Sequence, residues 1–292
     1  MNKNSINTPN LPGPLIDTAW LSNNIENPKL KILDASWYLP TDMRNPYAEY
    51  IDNHIPGSQF FDIEKISETK TNLPHMIPNA KFFSTKMRSL GISCDDSIVV
   101  YDTKGVFSSP RAWWMLRIFG HDDVAVLQGG MPAWIASKNN TDNVKKNFPA
   151  GNFKAVFNPD LIKNFSDINL NLKTQTEQLI DARSKGRFDG LDPEPRPGLR
   201  SGHIPRSINL PYSLLLDKTS MNLLTPEEIK TLAKNAGIDF TKPIITTCGS
   251  GISAALLALA FFTIGHTETS VYDGSWAEWG SFSDTPITHD NN

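Results

Sequence analysis

The sequence has few cysteines and no long apolar run. Its 292 residues include only 2 cysteines, which is too few for a disulfide framework and favours a reducing compartment. No apolar stretch approaches the roughly 20 residues that a helix needs to span a bilayer. The opening residues, 1–14, are mostly polar and lack the apolar centre of a secretory signal. We therefore expect a cytoplasmic protein that is not embedded in a membrane.

A strong excess of charge of either sign is also missing. The formal net charge is −3, so electrostatics gives no general reason to expect binding to nucleic acid or to an anionic membrane surface. No group of cysteines and histidines has the spacing of a metal site, and we expect neither a metal nor another cofactor. The length is that of roughly two domains of ordinary size.

The two halves of the chain resemble each other. His54-Ile55-Pro56 recurs as His203-Ile204-Pro205, and the Gly129–Trp134 segment recurs as Gly274–Trp279. Other segments repeat in the same order and at nearly the same spacing, which indicates a duplicated domain. A stretch rich in Asn and Lys lies between the halves. The sequence predicts a first domain over 10–140, a linker over 141–159 and a second domain over 160–292.

Each half alternates short β-rich segments with helical ones. In the second half the pattern predicts strands at 178–182, 207–210, 243–247 and 270–272, a polar loop at 183–202, and helices at 225–236 and 250–264. Such alternation is typical of an α/β fold in which helices flank a mostly parallel sheet. Ligands of such sheets bind beyond the carboxyl ends of the strands.

Cys248 follows the predicted strand 243–247 at such an end. The segment Cys248-Gly249-Ser250-Gly251 then leads into an apolar helix. Free N–H groups and the helix dipole at a helix start stabilise a negative sulfur. Gly249 and Gly251 give the loop the flexibility to direct several N–H groups at one anion, and Ser250 adds a hydroxyl. The pattern predicts a reactive thiol.

Two other interpretations of this cysteine differ in what they require of the sequence. A buried cysteine can simply end a core strand as a small apolar side chain, but that role does not require a Gly-Ser-Gly loop. A cysteine phosphatase also places its cysteine between a strand and a helix, and it needs an arginine six positions later to bind phosphate. Ala254 occupies that position here, so the guanidinium that would hold phosphate with two hydrogen bonds is missing.

These residues resemble the rhodanese superfamily in its two-domain form, over about residues 33–287. In that family the first domain is catalytically silent. The repeat agrees with this, because Asp102 stands where Cys248 stands in the second half. The neutral loop, which continues with Ile252 and Ser253, is similar to that of 3-mercaptopyruvate sulfurtransferases. Thiosulfate sulfurtransferases generally carry basic residues just after the cysteine, which suits a dianionic substrate.

The resemblance implies a set of further site residues. Gly186-Arg187-Phe188 and Glu194-Pro195-Arg196 match segments whose arginines bind the keto acid, so Arg187 and Arg196 are expected to bind the substrate beside loop residues 249–253. A proposed relay of an acid, a histidine and the loop serine maps onto Glu64, His75 and Ser250. The family's acid is commonly Asp, which leaves Asp62 as an alternative to Glu64.

The function that the resemblance implies is sulfur transfer from 3-mercaptopyruvate through a persulfide on Cys248, with release of pyruvate. The acceptor would be a thiol, such as that of thioredoxin, or cyanide. Two alternatives stay open: a thiosulfate sulfurtransferase on the same fold, and a non-catalytic module that carries sulfur or senses redox state.

Overall fold

The structure is a computed structural model that describes residues 8–289. The first seven residues of the polar N-terminal segment, and residues 290–292 of the predicted second domain, lie outside the described part. The chain forms two compact units. The first comprises the chain up to Ile66, together with Pro78–Phe157 and Thr219–Asn222, and the second comprises Ser67–Ile77, Asn158–Lys218 and the chain from Leu223 onward. The predicted boundaries at 140 and 160 stay a prediction.

The first unit contains a five-stranded parallel sheet within the described residues. Its strands are β1 (Leu15–Ile16), β2 (Leu30–Asp34), β3 (Gln59–Phe60), β4 (Ser97–Tyr101) and β5 (Val124–Leu127). They lie in the order β1-β5-β4-β2-β3, and every pair is parallel. The helices are α1 (Thr18–Asn24), α2 (Pro46–Asp52), α3 (Ile63–Ile66), α4 (Ala80–Ser89), α5 (Ser109–Ile118) and α6 (Gly130–Ala136), with a short 3-10 helix at Pro40–Asp42.

The second unit repeats this arrangement. Its strands are β6 (Ile162–Lys163), β7 (Gln178–Asp181), β8 (Ile208–Asn209), β9 (Ile244–Thr247) and β10 (Thr269–Tyr272). They lie in the order β6-β10-β9-β7-β8, again with parallel pairing throughout. The helices are α7 (Phe165–Thr174), α8 (Lys185–Asp189), α9 (Pro226–Asn235), α10 (Ile252–Thr263) and α11 (Ser275–Trp279), with 3-10 helices at Pro159–Leu161 and Tyr212–Leu215.

The central strands are apolar because both faces of each sheet are covered. Every residue of β4 and of β9 is buried, as expected for parallel strands between two layers of helix. In β9, Ile244 lies beside Gln178 of β7 on one side and Thr269 of β10 on the other. The α10 helix is apolar almost all round and nearly wholly buried. The predicted α/β fold with two similar domains is confirmed.

Local sequence signals account for several element ends. Thr225 caps α9, where its hydroxyl accepts the N–H of Glu228 while the Glu228 carboxylate accepts the N–H of Thr225. The prediction of an unbroken loop over 183–202 is wrong, because α8 forms inside it. Gly190 ends that helix with a φ of 84°, a conformation that glycine adopts without strain. A five-residue helix has too few turns to leave a periodic apolar pattern.

The stretch predicted as a linker is packed along the first unit. The N–H groups of Gly151, Phe153 and Val156 donate to carbonyl oxygens of that unit, and the ring of Phe153 is 2% exposed. These bonds explain how a segment without a periodic pattern still has a defined path. Among residues 8–289, no helix is long and apolar enough to cross a membrane.

Candidate active site

Cys248 directly follows β9, the middle strand of the second sheet. Its N–H donates to the hydroxyl of Ser275 at 3.2 Å. The N–H groups of Trp276 and Ala277 donate to the carbonyl oxygens of Cys248 and Gly249, both at 2.9 Å. The start of α11 therefore holds the first two residues of the loop in place. The sequence analysis did not identify Ser275, whose role depends on the folding of a segment far along the chain.

The thiol of Cys248 lies at the start of α10. Its side chain is 2% exposed, and the N–H of Gly251 donates to Sγ at 3.1 Å. Gly251 is the N-cap of α10 with a φ of 79°, and no side chain caps this helix start. Ile252 and Ser253 form the first turn, so their N–H groups have no acceptor within the helix. A negative sulfur at this point would be stabilised by these N–H groups and by the helix dipole.

Ser250 connects the loop to His75. The Nδ1 atom of His75 lies 3.0 Å from the Ser250 hydroxyl and 3.2 Å from the Ser250 carbonyl oxygen. A carbonyl oxygen only accepts, so Nδ1 carries a proton when it bonds to that oxygen. Both side chains are buried, at 2% and 4% exposure. The predicted pairing of His75 with Ser250 is thus present in the geometry.

The segment that carries His75 belongs to the second unit and makes a second contact there. His75 has a φ of 62°, a left-handed conformation that is uncommon outside glycine. Two residues later the N–H of Ile77 donates to Oδ2 of Asp273 at 2.8 Å. Asp273 is 1% exposed and follows β10. This second anchor also escaped the sequence analysis, because its two ends are almost 200 residues apart.

Arg187 and Arg196 approach the same loop. The Nη2 atom of Arg187 lies 3.0 Å from the point that a Cβ atom on Gly249 would occupy. The Nη2 atom of Arg196 lies 3.4 Å from the Ser250 hydroxyl. The structure therefore brings both predicted arginines to the loop that begins with Cys248, together with His75 and Ser250.

Glu194 joins two arginines beside the loop. Its carboxylate accepts from Arg187 Nη2 at 2.5 Å and from Arg183 Nη1 at 2.8 Å. Arg183 is fully buried and also bonds Asp181, with Nη2 to Oδ2 at 2.7 Å. Arg183 is therefore held by two carboxylates. Glu194 was quoted in the motif but given no role.

The predicted acid of the relay lies in the other unit. Glu64 lies on α3, where its Oε1 accepts from the indole N–H of Trp37 at 2.8 Å. The alternative, Asp62, forms an ion pair with Lys65 at 2.9 Å. The choice between the two acids stays a prediction.

The first unit fills the equivalent loop with its own carboxylate. Oδ2 of Asp102 accepts from the N–H groups of Phe107, Ser108 and Ser109 at 2.8–3.0 Å, and from the Ser109 hydroxyl. A carboxylate here satisfies the N–H groups at the start of α5 and carries no transferable atom. Among residues 8–289, no three His, Cys, Asp or Glu side chains are grouped so that they could hold a metal ion.

Comparison with known proteins identifies the family of the chain. The chain matches the rhodanese-like domain family over residues 17–137 and 165–282. It is 40% identical over 269 residues to the 3-mercaptopyruvate sulfurtransferase of Escherichia coli, which covers 92% of this chain and 95% of that protein. It is 42% identical over 295 residues to thiosulfate/3-mercaptopyruvate sulfurtransferase 1 of Arabidopsis thaliana, over 94% of this chain and 78% of that one.

The fold comparison gives the same result. The crystal structure of the E. coli 3-mercaptopyruvate sulfotransferase superposes with a TM-score of 0.83 at 38% identity, over 90% of this chain and 98% of that one. The chain therefore belongs to the rhodanese family. The predicted family and enzyme class, a sulfurtransferase, are confirmed.

Proposed function

We propose that this protein is a 3-mercaptopyruvate sulfurtransferase. The observation that carries the proposal is the neutral loop 248–251 with the guanidinium of Arg187 against Gly249 and that of Arg196 beside Ser250. A loop without cations suits a donor whose carboxylate and ketone oxygens are bound by arginines outside it. A planar guanidinium matches a carboxylate with two hydrogen bonds.

The first half-reaction forms a persulfide. The Cys248 thiolate attacks the sulfur of 3-mercaptopyruvate, a sulfur–sulfur bond forms and the carbon–sulfur bond breaks. The electron pair of the broken bond passes to the substrate, which leaves as the enolate of pyruvate and takes up one proton. Arg187 and Arg196 stabilise the negative enolate oxygen. His75, acting with Ser250, is the group that supplies the proton or accepts the one from the thiol.

The second half-reaction returns the thiolate. A thiol acceptor, with thioredoxin as the proposed protein example, attacks the outer sulfur of the persulfide and takes it away. Cyanide would do the same and give thiocyanate. A covalent carrier of this kind predicts ping-pong kinetics. We propose a cytoplasmic location, which is consistent with the free thiols of Cys94 and Cys248, since a reducing compartment keeps thiols free.

The relatives leave the sulfur donor to be tested. The name of the Arabidopsis protein includes both thiosulfate and 3-mercaptopyruvate, so overall similarity does not separate the two donors. The decisive experiment compares pyruvate release from 3-mercaptopyruvate with thiocyanate formation from thiosulfate, both with cyanide as acceptor. We expect a higher kcat/KM for 3-mercaptopyruvate, and a preference for thiosulfate would make the protein a thiosulfate sulfurtransferase instead.

Variants of this chain connect the activity to the site. Cys248→Ser should abolish pyruvate release and the gain of one sulfur atom seen by mass spectrometry, whereas Cys94→Ser, at an exposed cysteine, should change neither. Persistent pyruvate release by Cys248→Ser would contradict the mechanism. Arg187→Ala and Arg196→Ala should each lower kcat/KM for 3-mercaptopyruvate by about a hundredfold, as loss of a charge-assisted bond to the transition state predicts.

A further inference from the structure

Glu194 is a buried negative charge beside groups that are proposed to bind an anion. Its side chain is 2% exposed, while that of Arg187 is 19% exposed. The carboxylate contacts Arg187 through Nη2 at 2.5 Å and Nε at 3.2 Å. A buried carboxylate must be paired to be tolerated, and Glu194 takes as its partner an arginine that faces the loop of Cys248.

The second partner of Glu194 already has a carboxylate of its own. Arg183 bonds Asp181 through Nε at 3.0 Å and Nη2 at 2.7 Å, so its positive charge is compensated without Glu194. The negative charge of Glu194 therefore mainly offsets the positive charge of Arg187. It reduces the positive charge that reaches the sulfur donor through that guanidinium.

We propose that Glu194 determines which sulfur donor the site prefers. Its negative charge reduces the positive charge of the site, which favours a monoanionic donor over a dianionic one. The inference rests on the proposed function and extends it to the choice of donor. 3-Mercaptopyruvate carries one negative charge on its carboxylate, and thiosulfate carries two. A negative charge near the binding arginines repels a dianion about twice as strongly as a monoanion, because the Coulomb energy is proportional to charge.

The test removes the charge of Glu194 and compares two donors. In Glu194→Gln, and in Glu194→Met as a second uncharged variant of similar volume, kcat/KM is measured for thiosulfate and for 3-mercaptopyruvate with cyanide as acceptor. We expect the ratio of thiosulfate to 3-mercaptopyruvate to rise about tenfold over the unmodified protein. Glu194→Asp keeps the charge, so it should leave the ratio within about twofold even where both rates fall.

Asp189→Asn is the matched control. It removes a buried carboxylate from the same segment, but one that pairs with Lys185 at 2.8 Å and not with an arginine of the site. This variant should leave the ratio unchanged. A thermal melt of each variant shows whether it is folded, and either uncharged variant that folds is sufficient for the measurement.

The outcomes separate the inference from the proposed function. If Glu194→Gln or Glu194→Met lowers both activities equally, so that the ratio stays constant, Glu194 only holds the arginines in place and the inference is overturned. If the unmodified protein prefers thiosulfate, the proposed function fails, and a rising ratio in the uncharged variants would still support the role of Glu194. A tenfold rise together with an unchanged ratio in Asp189→Asn supports the role of Glu194, and a preference of the unmodified protein for 3-mercaptopyruvate supports the proposed function.

Discussion

The guanidinium of Arg187 lies against the backbone of Gly249, with Nη2 only 3.0 Å from the point where a Cβ atom on that glycine would stand. Real Cβ atoms are rarely this close to a neighbour, so any side chain at 249 must displace Arg187. The position of Arg187 therefore depends on the absence of a side chain at Gly249. A basic residue at 249 would also bring a second positive charge close to the guanidinium of Arg187.

Gly249→Ala should lower kcat/KM for 3-mercaptopyruvate by on the order of tenfold. The added Cβ atom displaces Arg187 by part of an ångström, and a full ångström of misplacement costs about a hundredfold in transition-state stabilisation. Steady-state pyruvate release measures the effect. Gly13→Ala is the control, since a Cβ atom at Gly13 meets nothing within 4 Å. Unchanged activity in Gly249→Ala would mean that Arg187 does not act from this position.

His75→Asn separates proton transfer from packing. Asparagine tolerates the left-handed φ of 62°, and its amide N–H can donate to Ser250 as Nδ1 does, but it cannot exchange a proton. We expect kcat to fall by roughly a hundredfold to ten-thousandfold, the usual contribution of general acid–base catalysis, with little change in Tm. A kcat close to that of the unmodified protein would show that His75 has a packing role and transfers no proton.

Asp273 should act through the position of His75. Asp273→Asn keeps an oxygen that accepts the N–H of Ile77, whereas Asp273→Ala removes it and leaves that N–H without its 2.8 Å partner. We expect kcat to fall in the alanine variant and to recover in the asparagine variant. In the His75→Asn background, Asp273→Ala should cause almost no further loss of kcat, since both changes would affect the same step. Fully independent losses would contradict this coupling.

Asp34 should make stability depend on pH in the acid range. Burial raises the pKa of Asp34 from 3.8 to about 6. The folded carboxyl then binds its proton at a higher pH than the unfolded one, so this group favours the folded state at low pH and loses that contribution as pH rises to about 6. The difference corresponds to roughly 3 kcal/mol in the free energy of unfolding.

Asp34→Asn keeps the position neutral at every pH. The urea midpoint of Asp34→Asn minus that of the unmodified protein should therefore be larger at pH 7.5 than at pH 4.5. Asp142→Asn serves as the control, because a hydrogen bond from the backbone of Val144 lowers the pKa of Asp142, so any change of its effect with pH should have the opposite sign. An equal effect of Asp34→Asn at both pH values would contradict the prediction.

Much of the fold followed from local patterns. The apolar segment 243–247 predicted β9, and the helix predicted over 225–236 matches α9, whose start Thr225 caps, because strand burial and helix capping are decided by neighbours in sequence. The α8 helix was missed because a single short turn leaves no periodic signal. Its conformation depends on Gly190 and on the contacts that Arg187 and Phe188 make elsewhere.

Only part of the site could be predicted from the sequence. The strand, loop and helix around Cys248 are contiguous, so local chemistry identified the thiol and the loop that surrounds it. The resemblance to a family supplied Arg187, Arg196 and His75. No local rule could identify Ser275 or Asp273, because each acts through a hydrogen bond to a segment distant in the chain.

The sequence by itself determined that the chain is a duplicated α/β protein, predicted that Cys248 is its reactive thiol, and placed Asp102 at the equivalent position of the first half. These properties depend on apolar periodicity, helix starts and residue identity, which are local. Only the tertiary structure decided which groups surround the sulfur and how their charges balance. Glu194 contacts Arg187, and Arg187 lies against Gly249, through contacts between folded segments, and burial determines how strongly such charges interact.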